Sequence, residues 1–218
     1  MPKRSLTFYV FALGVLSVYG CAAIPVIGDG NDSQRTIEIR EAQEINIHGK
    51  SDIIFTDNPS NSLEIHSDSN IIQRISVRSS GNSITIRPSF WFMLFPSQGI
   101  EYRISSAQIE KLTSSGKNQL QLNTSQSLHI HSSGELDIVA RGNTELLRLS
   151  GSGQLKLEGT QWQAQLLELE RSGRTHLELT EVIKLNGRSS GTLTWLPSSI
   201  TNYDEFQHHG TWNRESDH

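Results

Sequence analysis

A Ser-Gly pair recurs along the C-terminal half of the chain at intervals of about nineteen residues. The pairs are Ser115-Gly116, Ser133-Gly134, Ser152-Gly153, Ser172-Gly173 and Ser190-Gly191, and their glycines are separated by 18, 19, 20 and 18 residues. Apolar residues stand at fixed distances from each glycine. Such a spacing constrains the fold strongly, because equivalent residues of successive units then need equivalent neighbours.

The apolar residues alternate with polar ones on both sides of each glycine, which predicts strand, turn and strand in every unit. They are Leu128, Leu147, Leu167 and Leu185 six residues before it, Leu112, Ile130, Leu149 and Leu169 four before it, Leu136, Leu155 and Leu193 two after it, and Leu120, Ile138, Leu157, Leu177 and Trp195 four after it. Asn118 and Thr175 interrupt the set. Glycine permits the turn, and stacked units bury a continuous column. The sequence therefore predicts an all-β fold, a parallel β-solenoid of short rungs, because an antiparallel meander would not need the same residue class at each offset.

Composition excludes several classes of protein. The 218 residues suffice for one ordinary domain or two small ones. The single cysteine excludes a disulfide framework and a cysteine-cluster metal site. A formal net charge of −4 gives no electrostatic footprint for nucleic acid, so no nucleic-acid partner is expected.

The N-terminus has the features of a secretory signal peptide at residues 1–20. Lys3 and Arg4 precede the apolar stretch Leu6 to Val18, and Gly20 precedes Cys21. The run Val18-Tyr19-Gly20-Cys21 resembles a bacterial lipobox, although Tyr19 departs from the usual small residue. The resemblance implies cleavage before Cys21, lipid attachment to that cysteine, and an outer-membrane destination, because Ala22 follows where retention signals use Asp.

Two alternatives to the lipoprotein remain open, an uncleaved membrane anchor and plain secretion. The anchor is considered because no charge occurs from Ser5 to Gly28, a run of 24 residues that is long enough to cross a bilayer. Removing residues 1–20 takes away the two basic residues there, so the formal net charge falls from −4 to −6. Residues 21–35 are predicted to be a flexible tether, because the acidic run in them lacks the later ligands of a calcium loop. No cofactor or metal is expected for any part of the chain.

The N-terminal half alternates as well, and together with the repeats it resembles a known family. The alternating segments Ile45 to Phe55 and Leu63 to Ile65, a Ser-Gly-Asn turn before Ile84, and the serial Ser-Gly rungs at Ser150 to Gly153 are similar to the bacterial GIN domain, a family of adhesin head domains of unknown function. The resemblance implies a right-handed β-helix-like fold over about residues 36–200 and a place in the cell envelope. It implies no catalytic residues. Residues 201–218 are polar and are predicted to be a tail.

The aromatic segment Phe90 to Phe95 departs from the family pattern. Its residues Trp91, Phe92 and Phe95 are the candidate contact for a partner or for acyl chains. The alternative is a plug that covers the open end or side of the solenoid, because such a fold must hide its core and its edge strands.

Three further patterns are weaker candidates for sites. Gly187 to Gly191 matches the G-x-S-x-G elbow of hydrolases, but strand residues follow it where the elbow needs a helix. Glu158 and Glu178 would lie on one outer face with Asp137, Lys156 and His176, where mixed charges favour a solvated surface over a glycosidase groove. His208-His209 lies in the predicted tail, where a metal site would need costly ordering.

The function that these patterns favour is a non-enzymatic, lipid-anchored envelope protein that binds a protein or glycan partner. The alternatives are a structural subunit of an envelope complex and a polysaccharide-processing β-helix enzyme. The non-enzymatic hypothesis rests on a regular scaffold without an assembled acid, base or nucleophile.

Overall fold

The computed structural model describes residues 24–40, 42–89, 92–123, 126–195 and 200–214. Within these ranges the chain forms strands and one short helix, which confirms the predicted all-β class. In chain order the elements are β1 (Ile24–Ile27), β2 (Asp32–Glu38), β3 (Glu44–His48), β4 (Ser51–Thr56), β5 (Ser62–Asp68), α1 (Ser69–Ile72), β6 (Ile75–Ser80), β7 (Ser83–Pro88), β8 (Phe92–Phe95), β9 (Glu101–Ser105), β10 (Lys111–Asn123), β11 (Leu128–Trp195) and β12 (Ile200–Arg214). No helix in these ranges has the length and hydropathy to cross a bilayer.

The strands form one large sheet and one separate ribbon. In the large sheet β2 lies beside β5, followed by β9, β4, β10, β3, β7 and β6, while β11 pairs with β10 and β12. Most pairings are parallel, and the antiparallel pairings in the described ranges are β2 with β5, β5 with β9, and β6 with β7. The ribbon consists of β1 and β8, which are also parallel.

Strand β10 connects the irregular N-terminal half to the regular C-terminal half. Its first residues pair with β3, its last residues pair with β4, and its whole length pairs with the start of β11. In the last pairing Lys111 lies opposite His129, and Gly116 lies opposite Gly134. On one side of β10 lie two separate strands, β3 and β4, which are joined by a turn. On its other side lies one bent segment of β11, which covers the same length of β10.

Glycines at the bends lie directly on one another. We call Gly49, Gly116, Gly134, Gly153, Gly173, Gly191 and Gly210 the glycine column, and all seven have positive φ angles. A Cβ atom on Gly134 would lie 2.3 Å from the carbonyl oxygen of Gly116, and one on Gly153 would lie 2.1 Å from the carbonyl oxygen of Gly134. At Gly134 and Gly153 any other residue would therefore strain the backbone and collide with the neighbouring strand.

Strand β11 is bent many times. Its 68 residues would extend about 220 Å if they were straight. Glycines with positive φ occur along it, among them Gly142, Gly151 and Gly187 in addition to members of the glycine column. On both sides of the bend at Gly134 the strand pairs with β10, and on both sides of the bend at Gly191 it pairs with β12.

The core contains the aliphatic residues that the alternation predicted. Those four residues before and four after the repeat glycines are all buried where the structure describes their side chains: Leu112, Leu120, Ile130, Ile138, Leu149, Leu157, Leu169 and Leu177. Asn118 and Thr175, which interrupt the apolar set, are buried too. The Ser51 hydroxyl donates to Asn118 Oδ1 at 2.7 Å, and Asn118 Nδ2 donates to Ser114 Oγ at 2.8 Å. These bonds offset the desolvation of the buried amide.

Two segments that were predicted to be irregular contain strands. Strands β1 and β2 lie within residues 21–35 or overlap that predicted tether, and β12 occupies most of the predicted tail, residues 201–218. Strand β12 pairs in parallel with the end of β11, so that Gly210 lies opposite Gly191. Main-chain hydrogen bonds are nearly independent of side-chain polarity, which is why a polar sequence can continue the sheet.

Candidate functional site

The ribbon of β1 and β8 places an apolar surface on the outside of the molecule. In the parallel register Pro25 lies opposite Met93, and Ile27 lies opposite Phe95. Side chains paired in this way project from the same side of a ribbon. Ile27, Met93 and Phe95 are 75%, 53% and 50% exposed, and Pro25 is also exposed. The outer face of the ribbon is therefore entirely apolar.

The inner face of the ribbon packs toward the sheet. Val26 and Leu94 are half-buried against the core, and Phe92 is half-buried as well. The guanidinium carbon of Arg74 lies 4.4 Å from the centre of the Phe92 ring, which is a cation–π contact. A cavity of about 670 Å³ lies beside the ribbon. All four residues of β8 line it, so Met93 and Phe95 border it as well as Phe92 and Leu94, together with Pro88, Ile100, Lys50 and Asp52. Phe92 is thus half-buried beside the cavity, whereas half of Phe95 is exposed to solvent.

Two of the sequence-predicted site residues lie outside the described residues. Trp91 immediately precedes the described strand β8, and Cys21 precedes the described strand β1 by three residues. Of the proposed aromatic contact, the structure describes Phe92 on the inner face and Phe95 on the outer face.

A buried carboxylate fastens the ribbon to the sheet. Asp68 is fully buried at the end of β5 and accepts hydrogen bonds from the main-chain N–H groups of Gly30 and Ser97, both at 2.8 Å. The Ser97 hydroxyl also donates to this carboxylate, and this bond is the main reason why the pKa of Asp68 lies below its usual value. Gly28 passes so close that a Cβ there would lie 2.3 Å from Asp68 Oδ2.

Further hydrogen bonds hold the segment between β1 and β2. The Gly28 N–H donates to the Phe95 carbonyl at 2.9 Å, and Asn70 Nδ2 donates to the Ile27 carbonyl at 2.7 Å. The Ser69 hydroxyl donates to Asp29 Oδ2 at 2.6 Å, and it is the main cause that lowers the pKa of Asp29. The segment that the sequence analysis interpreted as a loose tether is thus bonded to α1 and β8.

A second surface carries the predicted outer-face charges. Asp137, Lys156 and Glu158 line a groove of about 310 Å³ with Asp52 and Gln119. Lys156 forms an ion pair with Glu158, and the hydrogen bond to Glu158 raises the pKa of Lys156. Glu101 lines the groove as well, so its lining combines four carboxylates with one lysine and can bind polar groups of a ligand.

A buried polar cluster was not predicted from the sequence. Ser150 Oγ lies 2.8 Å from His129 Nε2 and 2.9 Å from His131 Nδ1, and burial lowers the pKa of His129. The guanidinium of Arg171 donates to the Ser150 carbonyl at 2.8 Å and to Ser132 Oγ at 2.7 Å. A serine bonded to histidine is one requirement of nucleophilic catalysis. Here the serine is buried and lines neither of the two cavities described above, so the cluster has the character of a structural network.

Arg171 is a cation with little access to water. It is 4% exposed, and burial lowers its pKa to about 10. Its donors are directed at main-chain carbonyls, since it also donates to the Ser152 carbonyl at 3.2 Å. Arg171 therefore bonds to the carbonyls of a neighbouring bend.

The remaining predicted motifs do not form sites. Ser189 in the G-x-S-x-G run is buried within β11, and strand rather than helix follows it up to Trp195. His208 and His209 lie in β12 opposite Ser189 and Ser190. Among the residues that the structure describes, no group of three or more acidic, histidine or cysteine residues could hold a metal ion.

Comparison with known proteins identifies the family and the fold. A family model described as "Putative auto-transporter adhesin, head GIN domain" matches residues 42–197. No curated protein matches the chain significantly. Among solved structures, a "putative adhesin" from Bacteroides fragilis has a TM-score of 0.60 at 13% identity, with 87% of this chain and 100% of that chain covered.

Two further solved structures are similar. A "putative adhesin" from Parabacteroides merdae has a TM-score of 0.54 at 16% identity, covering 89% of this chain and 100% of that chain. A "Putative lipid binding protein" from Parabacteroides distasonis has a TM-score of 0.51 at 15% identity, covering 88% of this chain and 100% of that chain. At these identities the likeness shows the fold alone.

Proposed function

Since the chain belongs to the GIN-domain family of auto-transporter adhesin head domains, we propose that it is a non-enzymatic binding protein of the bacterial cell envelope. The observation that carries this proposal is the apolar outer face of the β1–β8 ribbon, where Ile27, Met93 and Phe95 are exposed side by side. Contiguous exposed apolar patches mark interaction sites. The names of the similar structures, adhesins and a lipid binding protein, agree with a binding role.

The scaffold is a parallel β-solenoid with a coil of about nineteen residues. Support comes from the in-register pairing of Gly116 with Gly134 and of Gly191 with Gly210, and from the close contacts along the glycine column. Such a stack is rigid and presents side chains in fixed rows. The domain takes in residues 36–200, and β12 extends it beyond its expected end.

The chain is anchored to the membrane by a lipid on Cys21, with residues 1–20 acting as the signal peptide. The run Val18-Tyr19-Gly20-Cys21 and the charged and apolar segments before it support this proposal. The destination is the outer membrane, because Ala22 lacks the character of a retention signal. The partner bound beyond the membrane is a protein or a glycan, for which the polar groove beside Asp52 and Asp137 is suited.

The anchoring is tested by expressing the full chain in a bacterial host and measuring the intact mass of the envelope fraction. We expect a chain that begins at Cys21 and carries acyl groups. The variant Cys21→Ser should leave the membrane fraction. A wild-type chain with an unmodified Met1 or Cys21 would contradict the lipoprotein.

The non-enzymatic role is tested separately. Purified full chain is incubated with envelope and plant polysaccharides, and reducing ends are measured for the wild type and for Glu158→Gln and Glu178→Gln. We expect no cleavage above background by any of the three. Cleavage that either substitution abolishes would instead support a polysaccharide-processing enzyme.

A further inference from the structure

The ribbon lies close in sequence to Cys21, the residue to which we assign the lipid. Ile24 begins β1 only three residues after Cys21, and three extended residues span about 10 Å. If Cys21 carries a lipid, β1 must therefore lie within about that distance of the bilayer surface. This step rests on the proposed function, because an unmodified Cys21 imposes no such distance.

Hydrogen bonds hold the segment after β1 against the rest of the domain, so the domain cannot rotate freely relative to the ribbon. Gly28 is bonded to the Phe95 carbonyl, and Gly30 to the buried carboxylate of Asp68. Asn70 holds the Ile27 carbonyl at 2.7 Å. The ribbon and the sheet therefore form one rigid unit. Among the described residues, the segment that connects β1 to the sheet is held by hydrogen bonds and is not a flexible linker.

We propose that the outer face of the ribbon rests on the surface of a phospholipid bilayer. The four side chains that project from this face, Pro25, Ile27, Met93 and Phe95, carry no charge and no hydrogen-bonding group. A face of this kind is stable at the boundary between headgroups and acyl chains, where its apolar atoms leave water. The lipid supplies the attachment, and the ribbon fixes the orientation of the domain on the membrane.

The net charge of the chain predicts which lipid headgroups the ribbon contacts. Without residues 1–20 the formal net charge is −6, because two of the basic residues behind the value of −4 are removed. An acidic protein gains nothing from anionic lipid. The contact should therefore form on zwitterionic phosphatidylcholine, and anionic lipid should not strengthen it.

The experiment places a photoreactive benzoylphenylalanine at one position of the full chain at a time. The positions are Ile27 and Phe95, with Met93 as a third choice should either variant fail to fold. Ile183 is the matched control, because it is an exposed apolar residue of β11 with 51% exposure, similar to Phe95. Each protein is isolated from envelopes, reconstituted into phosphatidylcholine vesicles and irradiated. Mass spectrometry measures the lipid adduct and the acylation of Cys21 in the same sample.

We expect lipid adducts at Ile27 and Phe95 in at least tenfold higher yield than at Ile183. Equal yields at the three positions, or adducts of Phe95 with protein instead of lipid, would overturn the proposal. An acylated chain without lipid adducts at the ribbon would refute the ribbon contact and leave the lipoprotein standing. An unmodified Cys21 with lipid adducts at the ribbon would refute the anchor and support the contact.

Discussion

Individual glycines determine how closely neighbouring strands approach. At Gly134 the φ angle is 121°, and an added Cβ would lie 2.3 Å from the Gly116 carbonyl oxygen. We predict that Gly134→Ala lowers the free energy of unfolding by about 3 kcal/mol or more, because backbone strain and a steric clash add. Urea unfolding of the variant measures the loss.

The matched control is Gly99→Ala. Gly99 has a φ angle of 86°, but no atom lies within 4 Å of the position where its Cβ would be. Only the conformational cost remains, about 1–2 kcal/mol. Equal losses for the two variants would show that the close approach at Gly134 does not exist in solution.

Arg171 stabilises the fold through main-chain carbonyls. We predict that Arg171→Met lowers the free energy of unfolding by about 2–3 kcal/mol, because the Ser150 and Ser152 carbonyls lose a charged donor. Arg174→Met, at an exposed position three residues later, should change it by less than about 0.5 kcal/mol. Thermal and urea unfolding distinguish the two, and a stable Arg171→Met would mean that the carbonyls find water instead.

The sequence could predict the leucines but not Arg171. Leu149 and Leu169 follow from alternation, since their burial depends on a simple period. Arg171 stands two residues before Gly173, where the equivalent positions of the two preceding units are Gly151 and Ser132. The absence of a side chain at Gly151 and the hydrogen bond to Ser132 explain how a large cation fits. That relation becomes visible only once the units are stacked.

Among the elements, the ribbon depends on one carboxylate. Hydrogen bonds lower the pKa of Asp68, so its contribution to stability is present above the usual pKa of 3.8 and is lost as the pH falls through the lower folded value. We predict that Asp68→Asn flattens the acid side of the stability profile below about pH 4. It should also release β1, which hydrogen exchange of Val26 and Ile27 measures. An unchanged acid profile and unchanged protection in β1 would contradict the role of Asp68.

Strand β1 could not be predicted from the sequence, for physical reasons. Ile24 to Ile27 is only four residues long and contains Pro25, which cannot donate a hydrogen bond to a sheet. It is tolerated here because β1 pairs on one side with β8. The stretch after β1 is rich in glycine and acidic residues, which favour a linker, and nothing local to it reveals the distant partner Asp68. Strand β12 could not be predicted either, because its pairing with β11 uses main-chain atoms and so leaves no apolar pattern in the sequence.

At the scale of the whole molecule, the account depends on parallel, in-register stacking of bent segments. The family could be identified from the serial order of Ser-Gly turns, and the family model that matches residues 42–197 confirms it. Only part of the candidate site could be predicted from the sequence. The sequence singled out Phe92 and Phe95 as unusual, and alternation along a strand places them on opposite faces. Which face is covered depends on how β8 packs on the sheet, and the sequence does not show that packing.

The most direct measurement of this stacking is thiol bridging with dibromobimane, which fluoresces only when it links two nearby thiols. In a Cys21→Ser background, Ser115→Cys with Ser133→Cys places two thiols on paired residues, about 4.8 Å apart between strands. Ser115→Cys with Ser152→Cys is the control, because the strand that carries Ser133 lies between. We predict strong fluorescence for the first pair and background for the second. Equal labelling of both pairs, or labelling of the second alone, would contradict the parallel stack.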